Sequence, residues 1–118
     1  MKPIILNRTS SYKKRIDHYA SDLTKRYRVE IGEVFVRDVG KAEEAISLNA
    51  DLGIKAPYRL RNKQVILREW YFDSGPAPYC IIYSVKKDIA TLITLWHGVG
   101  SRASKNLFRI WNPPKSQR

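Results

Sequence analysis

Tyr79-Cys80-Ile81-Ile82-Tyr83-Ser84-Val85-Lys86-Lys87-Asp88-Ile89-Ala90-Thr91-Leu92-Ile93-Thr94-Leu95-Trp96-His97-Gly98-Val99-Gly100-Ser101-Arg102 is the stretch that decides the fold. Its two halves are apolar and rich in β-branched side chains, and they meet at the polar break Lys86-Lys87-Asp88. Such side chains fit a pleated, half-buried surface, and a short polar interruption between two such runs marks a hairpin. The spacing predicts a β-hairpin whose second strand ends in His97, with Arg102 following across Gly98-Val99-Gly100-Ser101.

Upstream, Val65-Ile66-Leu67-Arg68-Glu69-Trp70-Tyr71-Phe72 has the same character and stops at Asp73-Ser74-Gly75-Pro76-Ala77-Pro78, where Gly and Pro signal a turn. Three consecutive antiparallel strands are therefore expected. Strand alternation puts Trp70 and Phe72 on one face, as core against helices, and Tyr71 on the other, where an open sheet can also stack a base.

Towards the N-terminus the period changes. Pro3 to Asn7 is a short apolar run suited to a first strand, and Thr9, Ser10 and Ser11 are N-cap candidates. Tyr12, Ile16, Ala20, Leu23 and Tyr27 then fall on one helical face. Ile31, Phe35, Val39, Ala42 and Ile46 repeat that spacing up to the stop signal Asn49-Ala50-Asp51-Leu52-Gly53. Gly32, Gly40 and several Val leave a strand over Val29 to Val36 as the competing reading, but the period holds over four turns and predicts a helical hairpin. The expected architecture is α+β: two N-terminal helices packed on a small, mainly antiparallel sheet in the order β-α-α-β-β-β.

At 118 residues the chain has the size of one domain, expected over residues 1–111, followed by a basic, flexible tail at 112–118. A net charge of +11 exceeds what solubility requires and calls for an acidic partner. The charge is uneven. Gly53 to Arg68 and everything after Asp88 hold bases without an acid, whereas Glu30 to Asp51 is rich in acids. Cys80, the single cysteine, cannot form an internal disulfide and reads as core packing in a reducing cytoplasm. No apolar run has the length of a membrane span, and Lys2 before Ile4-Ile5-Leu6 is not a signal-peptide pattern, so a cytoplasmic protein is expected. His18, His97 and Cys80 lack metal-ligand spacing, and neither a metal nor another cofactor is expected.

Several of these segments resemble the RelE/ParE toxins of bacterial type II toxin–antitoxin modules. Ser10-Ser11-Tyr12-Lys13-Lys14-Arg15-Ile16 is similar to the family's aromatic-plus-basic opening of its first helix, and Leu48 to Gly53 to its helix exit. Leu67-Arg68-Glu69 resembles the first hairpin strand of ParE-type members, and Tyr79 to Tyr83 with His97 and Arg102 resembles the last two strands and the corner after them. The likeness runs from about Ile4 to Arg102 and carries the same β-α-α-β-β-β order.

That resemblance implies one of two activities, since one fold hosts both. RelE-like members cleave mRNA in the ribosome with the ribose 2′-OH as nucleophile and no metal. ParE-like members poison DNA gyrase, and a noncatalytic nucleic-acid-binding module is a third reading. Cleavage would draw on Lys63, Arg68, Tyr83, His97 and Arg102 as catalytic candidates, with Arg59, Arg61, Lys86, Lys87 and Lys105 as nucleic-acid contacts. The implied partners are an acidic antitoxin that folds as it binds, and the ribosome with mRNA or, alternatively, gyrase. Each candidate also has a structural reading: Arg68 as an ion-pair partner, Tyr83 as a core or rim aromatic, His97 as a satisfied strand-end residue. Cys80 stands where the family commonly has an Arg, a departure that cuts against cleavage: either Arg68 or Arg102 takes over the phosphate contact there, or the chain does not cut RNA.

Overall fold

The computed structural model describes residues 3–98 and 106–110. Strand β1 (Ile5–Arg8) leads into helices α1 (Ser10–Arg26) and α2 (Val29–Asn49). A 3₁₀ turn (Ala50–Leu52) connects them to β2 (Ile54–Leu60), β3 (Lys63–Ser74), β4 (Ala77–Lys86), β5 (Ile89–His97) and β6 (Leu107–Arg109). The α+β class is as expected, with both helices and the three-strand meander in place. The order differs, because β2 and β6 are additional strands, and β1 lies at Ile5–Arg8 rather than Pro3 to Asn7.

Local chemistry sets the helix ends. Thr9 caps α1 by accepting the Tyr12 N–H at 3.1 Å, and Lys25 and Arg26 complement the dipole in its last turn. Gly32 does not interrupt α2, because there the helix packs closely against α1. A Cβ there would run into Thr24 Oγ1 and sit 2.9 Å from the Ala20 carbonyl. The apolar stripe of α2 is buried as the period requires, with Phe35, Val39, Ala42 and Ile46 facing the sheet.

The six strands lie in the order β1-β5-β4-β3-β2-β6, with β1 parallel to β5 and the remaining pairs antiparallel. Tyr83 pairs with Leu92 and Ile82 with Thr94, so Ile93 is an extra residue bulged out of β5. The bulge shifts the alternation. Leu92 and Leu95 both reach the core beneath the helices, joined by Tyr12, Tyr79, Ile81 and Tyr83. Full burial of each large side chain there contributes about 1.5–3 kcal/mol. Trp70 and Phe72 pack at the margin of this core, while Tyr71 points to the other face, 41% exposed.

The helix-free face holds a second cluster of Ala56, Tyr58, Leu67, Cys80, Ile82, Trp96 and Leu107. Cys80 is therefore a core residue, as expected. Beyond Leu92, β5 loses its β1 partner, and α1 runs alongside to satisfy the freed backbone. Thr9 Oγ1 donates to the Leu92 and Ile93 carbonyls at 2.9 Å, Arg15 Nε donates to Leu95 O at 3.1 Å, and Tyr19 Oη accepts the His97 N–H at 3.1 Å. No helix among the described residues is long and apolar enough to cross a membrane.

Candidate functional site

The antiparallel meander brings its first and third turns to one end of the sheet. There Arg61 and Asn62, at φ 49° and 69°, make the two-residue link from β2 to β3, and Lys87, at φ 57°, lies in the link from β4 to β5. Arg59, Arg61, Lys63, Lys86 and Lys87 are all exposed and form no ion pair among the described residues, with Asp88 the acid in these two turns. Four of the five expected nucleic-acid contacts thus share one end of the sheet, together with Lys63 from the catalytic set. Lys105 and Arg102, and the tail at 112–118, lie outside the described residues.

Arg68 and Tyr83 are brought together as cross-strand partners around the α2–β2 connection, and Arg68 also lines a polar cleft of about 310 Å³ beside Asp51 and Lys55. Arg68 Nη1 donates to the Asp51 and Gly53 carbonyls at 2.8 and 3.0 Å, and Nη2 is 3.8 Å from the exposed Asp51 carboxylate. Tyr83 is fully buried, and its phenol donates to Ala50 O at 2.6 Å. Burial pushes that phenol above its ordinary value, against the opposing influence of the Arg68 charge, so it holds its proton. A Cβ on Gly53 would collide with the Tyr83 hydroxyl and approach Arg68 Cβ to 3.0 Å. Both side chains therefore clamp the passage from α2 to β2.

His97 is at the opposite end. It pairs with Tyr79, four residues before Tyr83 on β4, which separates it from Arg68 and Tyr83 by about 13 Å along the strand direction. Its ring meets Tyr79 edge-on at 5.1 Å and Tyr19 at 6.4 Å, and the Arg15 guanidinium lies 4.8 Å above the Tyr19 ring while also donating to its hydroxyl. Lys63, an odd number of residues from Arg68 on β3, faces the other side of the sheet. The five catalytic candidates do not form one constellation. Three separate places hold Arg68 with Tyr83, His97, and Lys63, while Arg102 is undescribed.

Two polar clusters escaped the sequence reading. Glu69, 2% exposed on the helix-free face, accepts from Tyr58 Oη at 2.5 Å, Tyr71 Oη at 2.9 Å and Arg109 Nε at 2.7 Å, tying β6 to β3. Glu43 accepts from Tyr12 Oη at 2.7 Å and from Arg8 Nε and Nη2 at 3.0 and 2.6 Å, tying β1 and α1 to α2. The available signal was positional. Glu69 alternates with Leu67 and Tyr71 along a strand, and Glu43 stands four residues after Val39 on the buried helical stripe. No family model matches this chain, and no curated protein sequence matches it.

Proposed function

We propose that this chain is the toxin of a type II toxin–antitoxin module and that it arrests translation by ribosome-dependent, metal-independent cleavage of mRNA. The observation that carries the reading is the basic end of the sheet, where Arg59, Arg61, Lys63, Lys86 and Lys87 stand exposed in and beside the β2–β3 and β4–β5 turns. Cations without acidic partners favour a polyanion, and phosphate contacts of this kind hold and orient a nucleic acid. In the cleavage step the ribose 2′-oxygen loses its proton and bonds to the neighbouring phosphorus, and the bond to the 5′-oxygen breaks as that oxygen gains a proton. The extra charge on the phosphate is what Arg and Lys side chains stabilise. An acidic antitoxin would cover the same end and keep the chain silent.

The occupied Arg68 and Tyr83 and the remote His97 favour a second reading, in which the basic end binds without chemistry of its own. The ParE-like form of that reading is a gyrase inhibitor. Induction in bacteria separates the two. Early collapse of translation with new mRNA 5′ ends inside translated messages supports cleavage, whereas an SOS response with gyrase-linked DNA breaks and intact mRNA selects gyrase.

A further inference from the structure

The helix-free face carries a groove of about 630 Å³ between the N-terminus of α1 and the tip of the β2–β3 hairpin, within the size range of small-ligand sites. Ser10 and Ser11 form one wall, Arg61 and Asn106 the other, and Ser84, Thr91 and Thr94 the polar part of the floor, between Leu60, Ile93 and Leu107. No acid lines it. The bulged Ile93 lies in the floor, as bulges often do beside sites where a strand must re-aim its side chains.

Three features make this groove receptive to a phosphate and a sugar hydroxyl. The amides of Ser10 and Ser11 belong to the first turn of α1 and have no hydrogen-bond acceptor among the described residues, and that turn contains no acid. Arg61 stands across the groove without an ion-pair partner among the described residues. Thr94 is 8% exposed, yet its hydroxyl makes no hydrogen bond among the described residues. A hydroxyl on so little-exposed a residue, without a partner among the described residues, costs about 1–3 kcal/mol if nothing meets it, so its place in the groove floor points to a hydrogen-bonding occupant.

We propose that this groove binds the backbone of single-stranded RNA, a phosphate seated between the α1 amides and Arg61 and a ribose 2′-OH on Thr94. A phosphate oxygen only accepts hydrogen bonds, which suits the amides and the guanidinium. The 2′-OH donates and accepts, which suits a threonine hydroxyl, and it is the group that separates RNA from DNA. The proposal rests on the toxin reading for its substrate class, and is tested without it.

The test is fluorescence anisotropy of purified protein with a short 5′-fluorescein-labelled oligouridylate and its deoxy counterpart. Wild type is expected to bind the RNA about fivefold more tightly than the DNA, a difference that Thr94→Val removes by weakening RNA alone. Thr94→Val keeps shape and discards an unpaired buried hydroxyl, so its thermal stability should match or exceed that of wild type, separating lost binding from lost folding. Arg61→Gln is expected to weaken both ligands about tenfold and to reduce the salt slope by about one. Failure of wild type to bind the RNA, equal affinity for RNA and DNA, or both variants binding like wild type overturns the proposal. Growth is scored separately. RNA binding as described with unimpaired growth on induction upholds the groove and removes the toxin, whereas growth arrest with unaltered binding by both variants overturns the groove and leaves the toxin.

Discussion

Tyr12 and Glu43 meet across the helix pair, the phenol donating to Glu43 Oε2 at 2.7 Å while Arg8 from β1 holds the other oxygen. This contact explains how an acid comes to be 8% exposed in the stripe of α2 that otherwise buries Phe35, Val39 and Ile46. Removing Glu43 strands a buried hydroxyl and a guanidinium. Glu43→Ala should cost about 3 kcal/mol and Tyr12→Phe about 1–2 kcal/mol, read from urea midpoints at constant m-value.

The same contact sets an alkaline limit. Burial first, then Glu43, raise the Tyr12 phenol far above its ordinary value, and burial raises Tyr79 and Tyr83. The unfolded chain ionises these tyrosines near pH 10 while the folded chain keeps them protonated, so the unfolded state binds fewer protons there. Their contribution is complete below about pH 10 and is lost as pH rises beyond it. Urea titrations across that range should show stability falling, with a shallower fall in Tyr12→Phe. An unchanged slope in that variant would remove Tyr12 from the account.

Gly53 and Tyr83 form the tightest constraint on the α2–β2 connection. Gly53→Ala should cost about 2 kcal/mol or more, because the new methyl collides with the phenol. Adding Tyr83→Phe removes the oxygen and should return part of that loss despite costing stability alone. A double-mutant cycle with no coupling would contradict this assignment.

Glu69 is the anchor of β6. Glu69→Ala leaves Tyr58, Tyr71 and Arg109 without their shared acceptor and should destabilise by about 3 kcal/mol. Hydrogen exchange should show β6 and β2 losing protection before the helices do. Uniform loss throughout the chain would place Glu69 in the general core instead.

What the sequence disclosed follows from how local each signal is. Both helices announce themselves through a 3.6-residue period and the β3–β5 meander through apolar, β-branched runs set off by turn signals, and the burial of Cys80 and the partial burial of Trp70 and Phe72 follow from them. Strand β2 was hidden by Pro57 within it and by a turn made from Arg61 and Asn62 rather than Asn-Gly. The three residues of β6 are too few for a period. For the site, the bases were visible as a run, but their gathering at one end depends on strand order. The separation of His97 from Arg68 and Tyr83, and the burial of Thr94 beside a bulge, depend on register, which only the folded pairing defines.

The two ends of the sheet make opposite predictions. His97→Ala removes an exposed ring lying edge-on to Tyr79, far from the basic turns, and should leave growth arrest within about twofold of wild type. Loss of toxicity by a folded His97→Ala protein would move the working site to that end.

The most direct measurement is induction of the chain alone, beside a variant carrying Arg61→Gln, Lys63→Gln, Lys86→Gln and Lys87→Gln, with growth, soluble protein and mRNA 5′ ends followed together. Wild type should halt growth and leave cuts within translated messages, while the variant, soluble and folded, should grow and leave its messages whole. Normal growth with soluble wild-type protein, or arrest with intact mRNA and gyrase-linked DNA breaks, would contradict the account.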